Sequence, residues 1–312
     1  MRKRLSAIVL ACVLACGMMA VLTGCAGGDT YEPEGKSPTV TSPAIGQSGT
    51  LRVGVDTEKS PLAGMSSDGE RIIGIDVDVA AAIADELGLK LSIVDVGSDP
   101  AGALSGGKVD MVMDIDSSDA PSGVWISEQY VPTGIALFAL SSSKAGLPAE
   151  DANPLIAAQL SSTSAWAVSN TYGDTALKSV VSLSDAFSQL NGGSVKYVAA
   201  DAIIGMYAAY IAGVDVEIVG MLAQPSGYCI AVSSANADLK TAVEDAVVKL
   251  TGNGVVGVIE AKWLGQAIDF TGIKVAGATA KASEAETDAK AEADTKTETD
   301  EADEASKTQA AA

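Results

Sequence analysis

Leu51, Val53 and Val55 alternate with Arg52 and Gly54, the two-residue period of a strand, and Gly69 within Ser66 to Arg71 marks a turn into Ile72 and Ile73. From Asp76 to Leu87 the period becomes helical, with Val77, Ala80, Ala81, Ile83, Ala84 and Leu87 recurring at three- and four-residue spacings. Gly88 then stands where a left-handed C-terminal cap belongs. Leu91, Ile93 and Val96 predict a strand, Pro100 to Leu104 a short helix ended by Gly106 and Gly107, and Val109 to Ile115 a buried strand. Such a βαβαβ run calls for a parallel sheet with helices on its faces.

A second unit of this kind follows Leu140. Ala165 to Val168 reads as a strand, Asp174 to Val181 and Leu183 to Leu190 as helices, Val195 to Ala200 as a strand, and Asp201 opens a helix through Met206 and Tyr210. Gln224 to Gly227 then leads into a strand from Tyr228 to Val232, and Leu239 to Leu250 is an amphipathic helix. The apolar stretch from Ile203 to Leu222 is no membrane span, because Asp215 and Glu217 interrupt it.

Both ends depart from this pattern. Arg2, Lys3 and Arg4 precede an apolar run from Leu5 to Leu22 and then Thr23-Gly24-Cys25, a basic region and apolar core of export-signal type. The run is also about long enough for a short span, but its small-residue end argues for cleavage. Leu22-Thr23-Gly24-Cys25 resembles the lipobox of bacterial lipoproteins, which implies a leader over residues 1–24 and lipid on Cys25. Residues 25–48 are rich in Gly, Pro, Ser and Thr without an apolar period and read as a flexible tether. After about Ala276 the chain has almost nothing to bury, and Lys281 to Ala312 holds ten acidic residues and four lysines, so residues 269–312 read as an acidic, disordered tail.

Charge and cysteine count narrow the chemistry. A formal charge of −20 repels phosphate backbones and anionic headgroups, which argues against nucleic acid as a partner. Cys12 and Cys16 lie in the leader and Cys25 would carry lipid, so Cys229, in an apolar run, is left alone as a buried small hydrophobe. With no histidine and one usable thiol, neither an ordinary zinc site nor an imidazole triad can be built, and no cofactor is implied.

From Gly49 to Gly265 the residues resemble the bacterial extracellular solute-binding proteins of family 3, the polar amino-acid binding type. Four stretches carry the resemblance: Gly49 to Asp56, Gly74-Ile75-Asp76-Val77-Asp78 through Gly88, Leu104 to Asp110, and Gly254 to Lys262-Trp263-Leu264-Gly265. It implies an α/β, two-lobed periplasmic-binding-protein type II fold with two hinge crossings and a central ligand cleft. The crossings are expected near 138–141 and 222–225, giving lobe one as 49–138 plus 224–268 and lobe two as 139–223. It further implies a monomer on the outer face of the membrane that hands a small solute to ABC permease subunits. Rival readings are a degenerate module acting as a surface sensor and, since the fold also hosts cyclohexadienyl dehydratase-like activity, an enzyme.

The resemblance implies site residues and also a departure. Asp201, ending Val195-Lys196-Tyr197-Val198-Ala199-Ala200-Asp201, matches the aspartate that receives a ligand amino group, although an aspartate there is also an ordinary helix cap. Thr171, in Ser169 to Asp174, is expected in the turn whose backbone N–H groups hold an anionic group. The carboxylate-clamping arginine expected near 120–122 is absent. Asp114, Asp116, Ser117, Ser118 and Asp119 stand in that loop instead, and three uses stay open: a cationic ligand group, a hard cation, or solvent. Asp56 follows the opening strand without the usual aromatic near it, for which Trp125, Tyr130, Trp166 or Tyr172 are candidate substitutes.

Overall fold

A computed structural model describes residues 35–117 and 122–276. The leader, Cys25 and the tail beyond 276 lie outside the described residues, as do Ser118 and Asp119. Two sheets organise the chain. The first has the order β4, β1, β5, β13, β6, formed by Lys90–Asp95, Thr50–Val55, Met111–Asp116, Ser226–Ser233 and Val124–Ile126, with β7 (Val131–Thr133) also paired to β13. As the alternation predicted, β1 runs parallel to both β4 and β5. Strand β13 returns antiparallel beside β5, with Tyr228 opposite Asp116. A two-stranded ribbon, β2 (Gly64–Met65) and β3 (Ile72–Ile73), leads into helix α1 (Ile75–Glu86), which buries Ile75, Val79, Ala80, Ile83 and Ala84. Gly74, with φ +151°, must be glycine, since a Cβ there would collide with the Leu62 carbonyl. Helices α2 (Pro100–Ser105), α6 (Ala237–Gly252) and α7 (Val255–Leu264) complete this lobe.

The second sheet has the order β10, β9, β11, β8, β12, from Leu177–Val180, Ile156–Gln159, Tyr197–Asp201, Ile135–Leu140 and Val216–Met221. Helices α3 (Thr163–Tyr172), α4 (Leu183–Asn191) and α5 (Ala202–Ile211) flank it. Two expectations are corrected here. Ala165 to Val168 is helix, not strand: Ser162 caps α3 by accepting from the Ala165 N–H at 3.0 Å, and Ser164, Ala165, Val168 and Tyr172 are its buried face. Asp174 to Val181 is one 3₁₀ turn and then β10, which pairs in parallel with β9.

The chain leaves the first sheet at Thr133 and enters the second at Ile135, so the first crossing lies at Gly134, upstream of the expected 138–141. Phe138 belongs to β8, opposite Val198. The second crossing runs from Met221 to Ser226. Gly134 has φ +147°, and a Cβ there would lie 2.7 Å from Met221 Cε and 3.4 Å from Pro225 Cα, so the two crossings touch only because that side chain is absent.

Residues 39–48, expected as tether, lie against lobe one. Val40 and Ile45 are buried, the Thr39 N–H donates to the Leu87 carbonyl at 3.0 Å, and the Gly46 N–H donates to Asp110 Oδ1 at 2.9 Å. Residues 269–276 are likewise not loose. Met221 N–H donates to the Lys274 carbonyl and Ala276 N–H to the Met221 carbonyl, both at 2.8 Å, tying the end of α7's extension to the edge of the second sheet. In each case apolar side chains that a composition count treats as sparse find a complementary face.

Candidate functional site

Strands of a parallel sheet present their carboxyl ends on one edge, where ligands of open α/β sheets bind. Here that edge carries aspartates. Asp116 ends β5 and Asp201 ends β11, one from each lobe. Asp116 and Asp201 line a cavity of about 640 Å³ together with the crossing residues Thr133, Gly134 and Ser226 and the β9-to-α3 turn. A second cavity of about 510 Å³, lined by Asp56, Lys59, Asp114 and Tyr228 among others, shares Asp116 with the first, so the two adjoin at that residue along the cleft.

Asp201 serves two masters. Its Oδ1 accepts from the Ile203 and Ile204 N–H groups, each at 3.0 Å, capping α5, and its Oδ2 accepts from Thr133 Oγ1 at 2.6 Å. Burial pushes its carboxyl above the ordinary range, opposed by those hydrogen bonds. Oδ2 has a further lone pair for a donor in the cleft.

Asp114 lies deeper. It is 6% exposed, with φ +63°, and its Oδ2 pairs with Lys59 Nζ at 2.6 Å. Its Oδ1 has no hydrogen-bond partner among the described residues. Its backbone N–H donates to Tyr130 Oη at 3.2 Å, and that hydroxyl donates to the buried Asp76 Oδ1 at 2.5 Å. Burial, opposed by Lys59, pushes the Asp114 carboxyl up to about 6, and burial with repulsion from Asp114 raises Asp76 further.

Several expected residues fall elsewhere. Thr171 sits near the C-terminal end of α3 and is not among the cleft-lining residues; Ser162, Thr163 and Ser164, at the other end of that helix, line the cleft instead. Trp125 is on β6, opposite Val232, and packs against the core. Ser117 donates its N–H to the Gly227 carbonyl at 3.1 Å and accepts from Gln129 Nε2 at 3.4 Å, outside both cavity linings. Tyr130 is core, Tyr172 is buried and donates to the Pro148 carbonyl, and Trp166 is 68% exposed on α3. The aromatic in the cleft is Tyr228. Among the described residues no group of three metal-ligating side chains is assembled. Lys59 was missed because the loop after Asp56 was read only for its lack of an aromatic. Its position three residues past a strand-end aspartate was the available signal.

The model of the bacterial extracellular solute-binding proteins, family 3, matches residues 51–266. The chain belongs to that family. Among solved structures, the family's fold recurs in the L-cystine solute receptor of Neisseria gonorrhoeae, in an unliganded open conformation. That receptor is 21% identical with a TM-score of 0.61, over 70% of this chain and 94% of that one. A polar amino acid ABC uptake transporter substrate binding protein from Streptococcus thermophilus is 20% identical with a TM-score of 0.62, over 70% and 88%. An ancestral cationic amino acid solute binding protein is 25% identical with a TM-score of 0.57, over 69% and 96%. No curated protein sequence matches the chain.

Proposed function

We propose that this family member is the solute-capturing component of an ABC importer, held on the outer face of the cell membrane by lipid on Cys25. It takes a small amine-bearing solute, an amino acid or a relative of one, as a monomer presenting it to permease subunits. The observation that carries the reading is the pair of strand-end aspartates, Asp116 and Asp201, facing one cavity from opposite lobes. An ammonium held between them contacts both lobes, so the solute stabilises the closed form by its differential affinity for it. The turn at Ser162, Thr163 and Ser164 lines the same cavity, and the first N–H groups of a helix lack internal partners, so a solute carboxylate has donors there without a guanidinium. The likeness to an ancestral binding protein for cationic amino acids accords with an amine as the recognised group. Binding rather than turnover also fits a sequence without histidine.

Asp201→Asn tests this by calorimetric titration against a panel of amino acids and amines. Asparagine caps a helix about as well as aspartate, so the fold is kept while the charge is lost. Affinity for the preferred amine should fall by tenfold or more, in keeping with the roughly 1.5 to 3 kcal/mol of a charge-assisted hydrogen bond. Unchanged affinity for every amine in the panel refutes the assignment.

A further inference from the structure

We propose that Lys59 is a built-in occupant of a second cation subsite, centred on Asp114, and that it sets the solute class by keeping dibasic solutes from using that subsite. The inference rests on the amine reading above and adds to it. The subsite is more than a group of acidic residues, because Asp114 is 6% exposed and its Oδ1 lacks any hydrogen-bond partner among the described residues. Buried carboxylate oxygens ordinarily both find donors. The backbone at Asp114 is held at φ +63°, a conformation that costs a non-glycine residue about 1 kcal/mol or more and is kept where the surroundings impose it. Asp114 is among the residues lining the second cavity, with Asp56 and Asp116.

The cation on Asp114 comes from the protein itself. Lys59 reaches it from the loop after β1, with a side chain that stays 48% exposed against 3% for the aspartate. Such a side chain is tethered but not enclosed, so it can swing out. An intramolecular group on a short tether acts at an effective concentration of about millimolar, well above a scavenged solute. A second ammonium on that solute must therefore compete with a partner that stays tethered beside the subsite. With Lys59 present, a dibasic solute gains little over a monobasic one of the same shape. Without Lys59, the same carboxylate is a vacant acidic subsite.

L-lysine and L-norleucine, which has hydrogen where lysine has its terminal ammonium, are the probes. Each is titrated by calorimetry at pH 8 into the wild-type protein, Lys59→Met and the double variant Lys59→Met/Asp114→Asn. Lys59→Gln replaces Lys59→Met if thermal melting shows the latter unfolded. The wild type should bind the two within about threefold of each other. Removing Lys59 should raise the lysine-to-norleucine affinity ratio by tenfold or more, and removing Asp114 as well should return it. A ratio unmoved by loss of Lys59, including no binding of either probe, overturns the inference. So does an equal loss of affinity for both, which would make Lys59 the partner of the solute carboxylate. Those results leave the amine reading standing as long as Asp201→Asn weakens amine binding; the failure of that reading shows separately, as indifference to Asp201→Asn.

Discussion

Asp76 offers a direct test of the electrostatics beneath the cleft. It is fully buried in the first turn of α1, its Oδ1 accepts from Tyr130, and its Oδ2 has no hydrogen-bond partner among the described residues. Burial and the neighbouring Asp114 raise its carboxyl from 3.8 to about 8, while the Tyr130 hydrogen bond and Lys59 pull the other way. The folded protein therefore binds a proton there that the unfolded chain releases near pH 4, so stability is fully present below pH 4 and is lost as pH rises through about 8. At 1.36 kcal/mol for each tenfold change in proton affinity, the rise from 3.8 to about 8 sets a ceiling of about 6 kcal/mol. Asp114 shares the charge and the site relaxes, so about half, near 3 kcal/mol, is the working figure. At roughly 3 °C per kcal/mol for a chain of this size, the ligand-free protein should melt about 10 °C lower at pH 8.5 than at pH 4.5. Asp76→Asn removes the titration while keeping an acceptor for Tyr130, and its unmatched amide N–H costs about 1 to 2 kcal/mol at low pH. The melting curves of wild type and variant should cross, the wild type being more stable at pH 4.5 and the variant at pH 8.5. Glu260, raised to about 7 by burial, leaves the variant a shallower slope of the same sign. Parallel curves for the two proteins would refute the argument, because they would place no titration at Asp76.

Gly134→Ala should destabilise the protein by about 1 to 3 kcal/mol, since φ +147° is strained for alanine and its Cβ meets Met221 Cε at 2.7 Å; urea unfolding reads this, and a neutral result would mean the crossings do not touch. Arg52→Lys should cost about 2 kcal/mol in the same assay. It breaks a fork in which Arg52 Nη2 and Nε donate to Asp110 Oδ1 at 2.7 Å and Oδ2 at 3.2 Å, and lysine cannot reproduce two parallel bonds. A chain ending at Gln266 should melt lower than one ending at Ala276, because it loses the two backbone hydrogen bonds to Met221 and the packing of Phe270, Ile273 and Val275 on the core; equal melting temperatures would mean the segment is only a passenger.

What was legible in the sequence follows from how each element is stabilised. Strands β1, β4 and β5 and helix α1 are long enough to show their periods, and Gly88 marks the end of the helix. In lobe two the signals are short and alanine-rich. Ile156–Gln159 and Leu177–Val180 are four residues each; the first shows no period of its own and the second reads as part of a helix, while Ala165 to Val168, four apolar residues in a row within α3, imitates a strand. Thr171 was misplaced for a related reason: Ser161 to Ser164 and Ser169 to Thr171 are similar in composition, and only the position of β9 decides which one opens the helix at the cleft. Asp116 and Asp201 were readable because each sits where an apolar run stops, which is where a strand delivers its last side chain to a sheet edge. Lys59 obeys no such rule, since its loop has no period and its reach depends on where Asp114 lies in space. A site of this kind is therefore written in two ways: the strand-end charges Asp116 and Asp201 are fixed by local pattern and can be read from it, whereas the countercharge on Asp114, inside β5, is fixed by a contact 55 residues away in sequence.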